Sequence, residues 1–327
     1  MRAGNLGINI KMKYMKKSIL LLVSVLVFAT GCYDDYVYDY ETTGVYVAYQ
    51  YNLRTFVLDD GEAFKFTVAL GGVMKNERSR KVGLVSNPSL ISGALDAMNN
   101  NKLVSGEYVT QYMDTSKLDI TDLVPLKMDN YTIEGMDNLV ISKGRHTASI
   151  TLRATEQMRT DPNMFRPYYA VAFGIVSADA DVIVQGKDFG VVAVRCENKF
   201  YGNWDSTYEV KGTGSVTKSV RELITVDAET LLSNGVAGEA GQMIFRFTRD
   251  ESGKLSQDFV ISSEDSSVEG TGRFNGNRLL QARELHLEYS YTDQNGVRRD
   301  VTEDLKFRNR YRDGVNEYQD ENPEHYN

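Results

Sequence analysis

The chain has 327 residues, 42% hydrophobic and 25% charged, with 45 acidic against 37 basic side chains and a formal net charge of −8. Such a composition fits globular protein in about two domains and excludes disordered and collagen-like chains. The acidic excess repels phosphate backbones, which excludes nucleic acid as a partner.

Lys16-Lys17 precedes an apolar run from Ile19 to Phe28, which ends in Ala29-Thr30-Gly31 before Cys32. A basic start, a short apolar run and small residues are the layout of a secretory signal with its cleavage site. The run is shorter than the roughly 20 apolar residues that a membrane span needs. Ala29-Thr30-Gly31-Cys32 resembles the lipobox of bacterial lipoproteins, with Ala29 where leucine is usual. The resemblance implies that residues 1–31 are removed as a signal peptide, that Cys32 receives a diacylglyceryl thioether, and that the membrane is a partner through this lipid. Translation can start at Met1, Met12 or Met15. Arg2, Lys11, Lys13, Lys16 and Lys17 leave with the signal and no acid does, so the net charge moves from −8 to −13. Once Cys32 is lipidated, Cys196 is the one remaining cysteine, no disulfide framework forms, and stability must come from burial.

Residues 32–43 form an acidic, aromatic tether that begins Cys32-Tyr33-Asp34-Asp35. Asp34-Asp35 is similar to the export signal with which Bacteroides-type bacteria send lipoproteins across the outer membrane.

Residues 44–197 read as the first folded domain. Short runs rich in β-branched and aromatic residues, such as Val45-Tyr46-Val47-Ala48-Tyr49 and Phe64-Lys65-Phe66-Thr67-Val68, alternate with the turn signals Asp59-Asp60-Gly61 and Gly71-Gly72. In Thr147 to Arg153, Ala148, Ile150 and Leu152 point one way and Ser149 and Thr151 the other, as in a half-buried strand. Tyr169 to Phe173 and Phe189 to Val194 complete the set, and Leu90 to Met98 is predicted as one short helix on a surface excursion. Strands without alternating helices predict an antiparallel β-sandwich. Leu139 to Gly144 followed by Thr147 to Leu152 resembles the penultimate hairpin of immunoglobulin-like domains on Bacteroides-type surface lipoproteins.

Residues 198–327 read as a meander of about eight strands, the number that closes a small up-and-down barrel. Strands are predicted at Asp205 to Lys211, Met243 to Thr248, Asp258 to Ser262, Leu285 to Tyr291 and Val301 to Tyr311, and Asn295-Gly296 predicts a tight hairpin. Gly202-Asn203-Trp204 resembles the opening of lipocalin-like barrels, where the tryptophan plugs the closed end. Leu305 to Gly314, with Glu317 to Asp320 and Pro323 to Tyr326, resembles the C-terminal domain of a lipoprotein family of unknown function from polysaccharide-utilisation loci. In that family an immunoglobulin-like domain precedes a lipocalin-like barrel, so the implied fold class is all-β, a sandwich followed by an antiparallel barrel. The implied plug is Gly202 and Trp204 with Arg308 or Arg310, which alternation sets opposite Leu305, Phe307, Asn309 and Tyr311.

Catalytic motifs are weak. Gly212-Thr213-Gly214-Ser215-Val216-Thr217-Lys218-Ser219 has Thr217 where a phosphate loop needs glycine, and Gly270-Thr271-Gly272 with Gly276 misses the dinucleotide spacing. His146, His286 and His325 are isolated, so neither a metal nor a Ser-His-Asp site is expected, and no cofactor is. The second half is too short for a hydrolase barrel of about 250 residues. Address and resemblance together imply a non-catalytic surface lipoprotein of the outer membrane that helps present glycans to a neighbouring transporter complex. The alternative is an adhesive or structural module that binds a host or envelope protein.

Substitution of Cys32 by Ala is expected to leave the fold intact and shift the protein from the membrane to the soluble fraction, because two or more acyl chains anchor stably where one does not. Retention of the variant in washed membranes after confirmed signal cleavage would show that something other than lipid holds it.

Overall fold

A computed structural model describes residues 40–99, 121–236, 239–313 and 315–317. The first domain contains β1 (Gly44–Tyr46), β2 (Tyr51–Leu58), β3 (Ala63–Gly71), β4 (Arg80–Ser86), β5 (Val124–Pro125), β6 (Tyr131–Glu134), β7 (Val140–Ile141), β8 (Thr147–Ala154), β9 (Tyr169–Ala178), β10 (Val182–Ile183) and β11 (Phe189–Asn198). One sheet runs β10-β1-β3-β8-β6, and the other runs β2-β11-β9-β4-β7 with β5 beside β9. Alternation along β3 buries Phe64, Phe66, Val68 and Leu70 between the sheets, where they meet Ile150 and Leu152 of β8 and Phe56, Phe173 and Val194. Cys196 lies in this core, and burial pushes its thiol pKa up.

The excursion after β4 does more than run over the surface. It forms a 3₁₀ turn at Pro88–Ile91 and a helix at Ala94–Asn99 in place of one continuous helix, because Gly93 breaks the path at φ +72°. Ile91, Leu95 and Met98 then cover Ala170, Ala172, Val191 and Ala193, so β9 and β11 are buried on both faces. That double burial explains the unbroken apolar runs in both strands. The sandwich is also mixed, not purely antiparallel. β2 lies parallel to β11, with Tyr51 opposite Val191 and Leu58 opposite Asn198. The strand that opens this sheet and the strand that closes the domain therefore finish at the same end, beside the chain's exit to the second domain.

The second domain contains β12 (Gly202–Val210), β13 (Val216–Thr225), β14 (Thr230–Val236), β15 (Glu239–Arg249), β16 (Leu255–Ser262), β17 (Val268–Phe274), β18 (Glu284–Thr292), β19 (Arg298–Arg312) and β20 (Val315–Glu317). Each strand pairs antiparallel with the next, and β12 pairs with β19 to close an eight-stranded barrel, with β20 appended to the end of β19. Gly272 is needed at the β16–β17 contact, because a Cβ there would come within 2.2 Å of the Phe259 ring. Asn295-Gly296 belongs to a longer turn than predicted: only Gly296 has positive φ, and the Asp293 carboxylate accepts from the amides of Asn295 and Val297.

Side chains fill the barrel. Towards the first domain they are apolar, with Phe200, Trp204, Phe245, Phe247, Phe274 and Phe307 in one cluster. Further in lies a buried charge pair: Arg221 Nε and Nη2 reach Glu303 Oε1 and Oε2 at 2.8 and 2.9 Å. Ser206 and Tyr289 donate to the same carboxylate at 2.6 and 2.9 Å, and Arg221 Nη1 donates to Ser233 at 3.0 Å. Burying two charges costs several kcal/mol each, and this many hydrogen bonds is what offsets the cost.

Glu303→Leu leaves the Arg221 guanidinium buried without its counterion, and should destabilise the chain by about 3–5 kcal/mol in denaturant unfolding. A loss below about 1 kcal/mol would mean that the pair contributes no more than an exposed ion pair does.

Candidate functional site at the domain junction

The parallel register of β2 on β11 sets the turn Asp59-Asp60-Gly61 beside Lys199-Phe200, where the chain enters the barrel. Asp59 adopts a left-handed conformation, φ +62°, which points both acidic side chains at the second domain. Arg249 of β15 grips Asp59 with two hydrogen bonds of 3.0 and 2.9 Å, and Arg159 of the first domain adds a third of 3.1 Å. Asp60 accepts from Arg283 at 2.7 Å and lies 3.5 Å from Arg310, and both arginine side chains are 3% exposed. Arg283 is itself held by the carbonyls of Lys199 and Arg278. Arg159 also binds Glu62 and Arg249 binds Glu229, while Thr55 donates from its backbone and hydroxyl to Asp313 at 3.1 and 2.8 Å. Burial pushes the Asp59 carboxyl up, but the hydrogen bond from Arg249 and the charges of Arg159 and Arg249 outweigh it, and its pKa lies below the usual value.

The plug predicted for the barrel meets this junction. Trp204 is fully buried, its Nε1 donates to the Phe200 carbonyl at 3.0 Å, and Phe307 packs edge-on to it at 5.4 Å. Full burial excludes the indole as a sugar platform. Gly202, at φ +137°, lets β12 pass against Arg310: a Cβ there would lie 2.8 Å from both Arg310 Cβ and Asn309 O. The two arginines separate. A bulge between the pairs Trp204–Phe307 and Asn203–Asn309 inserts one extra residue into β19 and reverses its alternation. Arg308 consequently faces solvent and pairs with Asp205 at 2.9 Å, whereas Arg310 turns inward to Asp60 and Tyr311 faces out. Of the two arginines implied for the plug, Arg310 is the one carried inward at this end of the barrel. Cys32, Asp34, Asp35 and His325 lie outside the described residues.

Other candidate motifs resolve into structure. His146 contacts the Val73 carbonyl, and His286 meets Asp304 at 2.7 Å on the outer wall of the barrel. Gly270-Thr271-Gly272 lies within β17, and Val216 to Ser219 within β13. Among the described residues no group of three or more His, Cys, Asp or Glu could hold a metal, and no helix is long and apolar enough to cross a membrane.

Beside the Asp59-Asp60 turn lies a cleft of about 550 Å³ between the domains, lined by residues of the turn and by Lys199, Lys254, Gln257, Asn277, Arg278 and Arg283. The Lys199 ammonium sits 4.9 Å from the Phe200 ring centroid and 5.0 Å from that of Phe274. Burial lowers its pKa, and the charge of Asp59 offsets part of that shift. Two depressions of about 600 and 730 Å³ also lie on the outer wall of the barrel, around Arg246–Glu288 and Asp205–Lys306. Those are curved sheet surface, whereas the cleft is walled by both domains and contains half-buried charge. Nothing in the sequence pattern marks it, since its walls come from residues far apart in the chain.

No family model matches the chain, and no curated protein matches it. Solved structures do. A Bacteroides ovatus protein of unknown function is 19% identical with a TM-score of 0.55, over 83% of this chain and 95% of that one. A multidomain B. ovatus protein including DUF1735 is 11% identical, covering 79% and 89%, with a TM-score of 0.33. A two-domain Bacteroides fragilis protein of unknown function is 12% identical, covering 81% and 84%, with a TM-score of 0.31. The first of these likenesses establishes a shared fold.

Because the folded-state pKa of Asp59 is depressed, its stabilising contribution is full above the unfolded value of about 3.9 and is lost as pH falls through the folded value. Calorimetric melting temperatures of wild type and Asp59→Asn should therefore differ near pH 6, and the gap should narrow as the pH falls below about 3.9. A gap that stays constant over that range would mean that this carboxylate does not hold the domains.

Proposed function

We propose that the chain is a non-catalytic surface lipoprotein that holds a glycan for a neighbouring polysaccharide uptake complex in the outer membrane. Its N-terminal signal, the lipid on Cys32 and the Asp34-Asp35 export signal carry it to the cell exterior, and the acidic tether sets the folded domains off from the membrane. The observation that carries this reading is the junction. Arginine–carboxylate bonds from both domains converge on one turn, so the cleft beside it keeps a fixed shape lined with amide, ammonium and guanidinium donors. Fixed donors of that kind suit the hydroxyls and ring substituents of a saccharide. The carboxylates beside the cleft favour binding over hydrolysis. A glycosidase needs one carboxylic acid with a raised pKa beside a second carboxylate, whereas that of Asp59 is lowered and Asp60 is bound by two arginines.

One observation favours a protein partner as the second reading. Val216, Val220 and Ile224 stand exposed along the outer face of β13. Affinity electrophoresis of residues 33–327 through gels containing host and plant polysaccharides separates the two. Retardation by at least one polymer is the expected outcome, and free migration across a broad panel would favour the adhesive reading.

A further inference from the structure

The cleft at the junction is electrostatically unlike the rest of the chain. Its lining includes four cations, Lys199, Lys254, Arg278 and Arg283, against two carboxylates, Asp59 and Asp60, in a chain of net charge −8. Both carboxylates are taken. Asp59 is bound by Arg159 and Arg249, and Asp60 by Arg283 and Arg310. Lys199 is different. Among the described residues it forms no ion pair, and its ammonium rests over the rings of Phe200 and Phe274 at the cleft wall. An ammonium half out of water with no direct ion pair is open to an anion, because burial strengthens its attraction for any anion that reaches it. Lys254 and Arg278 stand on the exposed rim of the same cleft.

The lining also argues against a neutral sugar. Neutral rings are held by stacking on an open aromatic face. The aromatic residue in the lining, Phe274, is only 6% exposed, and Lys199 already lies over its ring. The remaining wall recognises charge and hydrogen-bonding groups. The acidic surface elsewhere does not prevent an anion from docking, since at physiological salt charges are screened beyond about 8 Å.

We propose that the cleft binds an acidic saccharide, with the carboxylate or sulfate of one sugar residue meeting Lys199 and the flanking hydroxyls meeting the rim. This rests on the reading of the chain as a glycan-capturing protein, and names the class of glycan. A charge-assisted hydrogen bond at a partly buried site is worth roughly tenfold to a hundredfold in affinity.

The test is affinity electrophoresis of residues 33–327 against polygalacturonate, its carboxyl-reduced neutral counterpart and a sulfated galactan. Retardation by an acidic polymer, and much less by the neutral one, is expected. Lys199→Met keeps the aliphatic stem over the rings and removes the charge, so it should weaken acidic binding about tenfold or more, while Lys199→Arg retains most of it. Should Lys199→Met melt early, Lys254→Met on the exposed rim serves instead: weaker acidic binding supports the assignment and unchanged binding counts against it. Equal retardation by acidic and reduced polymers, or undiminished acidic binding by a well-folded Lys199→Met, overturns the charge assignment and leaves glycan capture standing. Free migration in every gel, acidic and neutral, overturns both.

Discussion

Two adjacent aspartates hold this molecule together. Asp59 and Asp60 sit at the tip of one turn of the first domain, and three arginines of the second domain, Arg249, Arg283 and Arg310, close on them. Contacts between domains of one chain resemble transient interfaces, and relative motion is the default expectation. Here Arg249 and Arg283 make charge-assisted hydrogen bonds, in part bidentate and each about twice as strong as a neutral one, and the buried Arg310 adds a longer ion pair to Asp60. The guanidinium groups are also costly to leave unpaired away from water, so separating the domains would expose or orphan several charges at once. The parallel pairing of β2 with β11 is the constraint that makes this possible, because it delivers the turn to the point where the chain crosses between domains.

The fold class was legible because burial follows alternation and turn chemistry, as in β3 and β8 and at the Asp59-Asp60-Gly61 turn that ends β2. Legibility failed at two strands that carry a polar residue inward. β13 and β14 carry Arg221 and Ser233 into the barrel, which breaks the apolar rhythm by which a strand is recognised. Arg308 and Arg310 show a second kind of failure. Strict period-two reasoning holds along β19 as far as Phe307, and one bulged residue then exchanges the faces, a backbone event with no signature in residue type. The junction was hidden for a third reason. Asp59-Asp60-Gly61 has the composition of any turn, and its partners Arg159, Arg249, Arg283 and Arg310 lie 100 to 250 positions away in the sequence, a separation that no spacing rule reaches.

The filled interior changes what the barrel can be used for. A lipocalin-like shape suggests a ligand held inside, yet the volume is occupied by an aromatic cluster at one end and by the Arg221–Glu303 pair with its hydroxyl partners beyond it. A buried ion pair of this kind is weak evidence for stability, since well-packed apolar residues often do as well. Its clearer consequence is specificity of packing: Ser206, Arg221, Ser233, Tyr289 and Glu303 come from five strands, and their hydrogen bonds tie the register of each to the others.

With the interior filled, the structural interest of the barrel shifts to its closed end, where the polar features facing the first domain gather. Trp204 and Phe200 seal that end from within, and Lys199 and Arg283 stand just outside the seal. The aromatic seal gives the Lys199 ammonium a wall of low polarity, and the arginines of the junction neutralise the two carboxylates that would otherwise be its partners. The cation left in the cleft thus follows from the interactions that hold the domains together. An additional carboxylate within reach of Lys199 would satisfy it internally and remove the receptor, while loss of the Asp60 contact would leave Arg283 and Arg310 repelling each other where the domains meet. The domain lock and the cationic cleft are therefore one arrangement of charge.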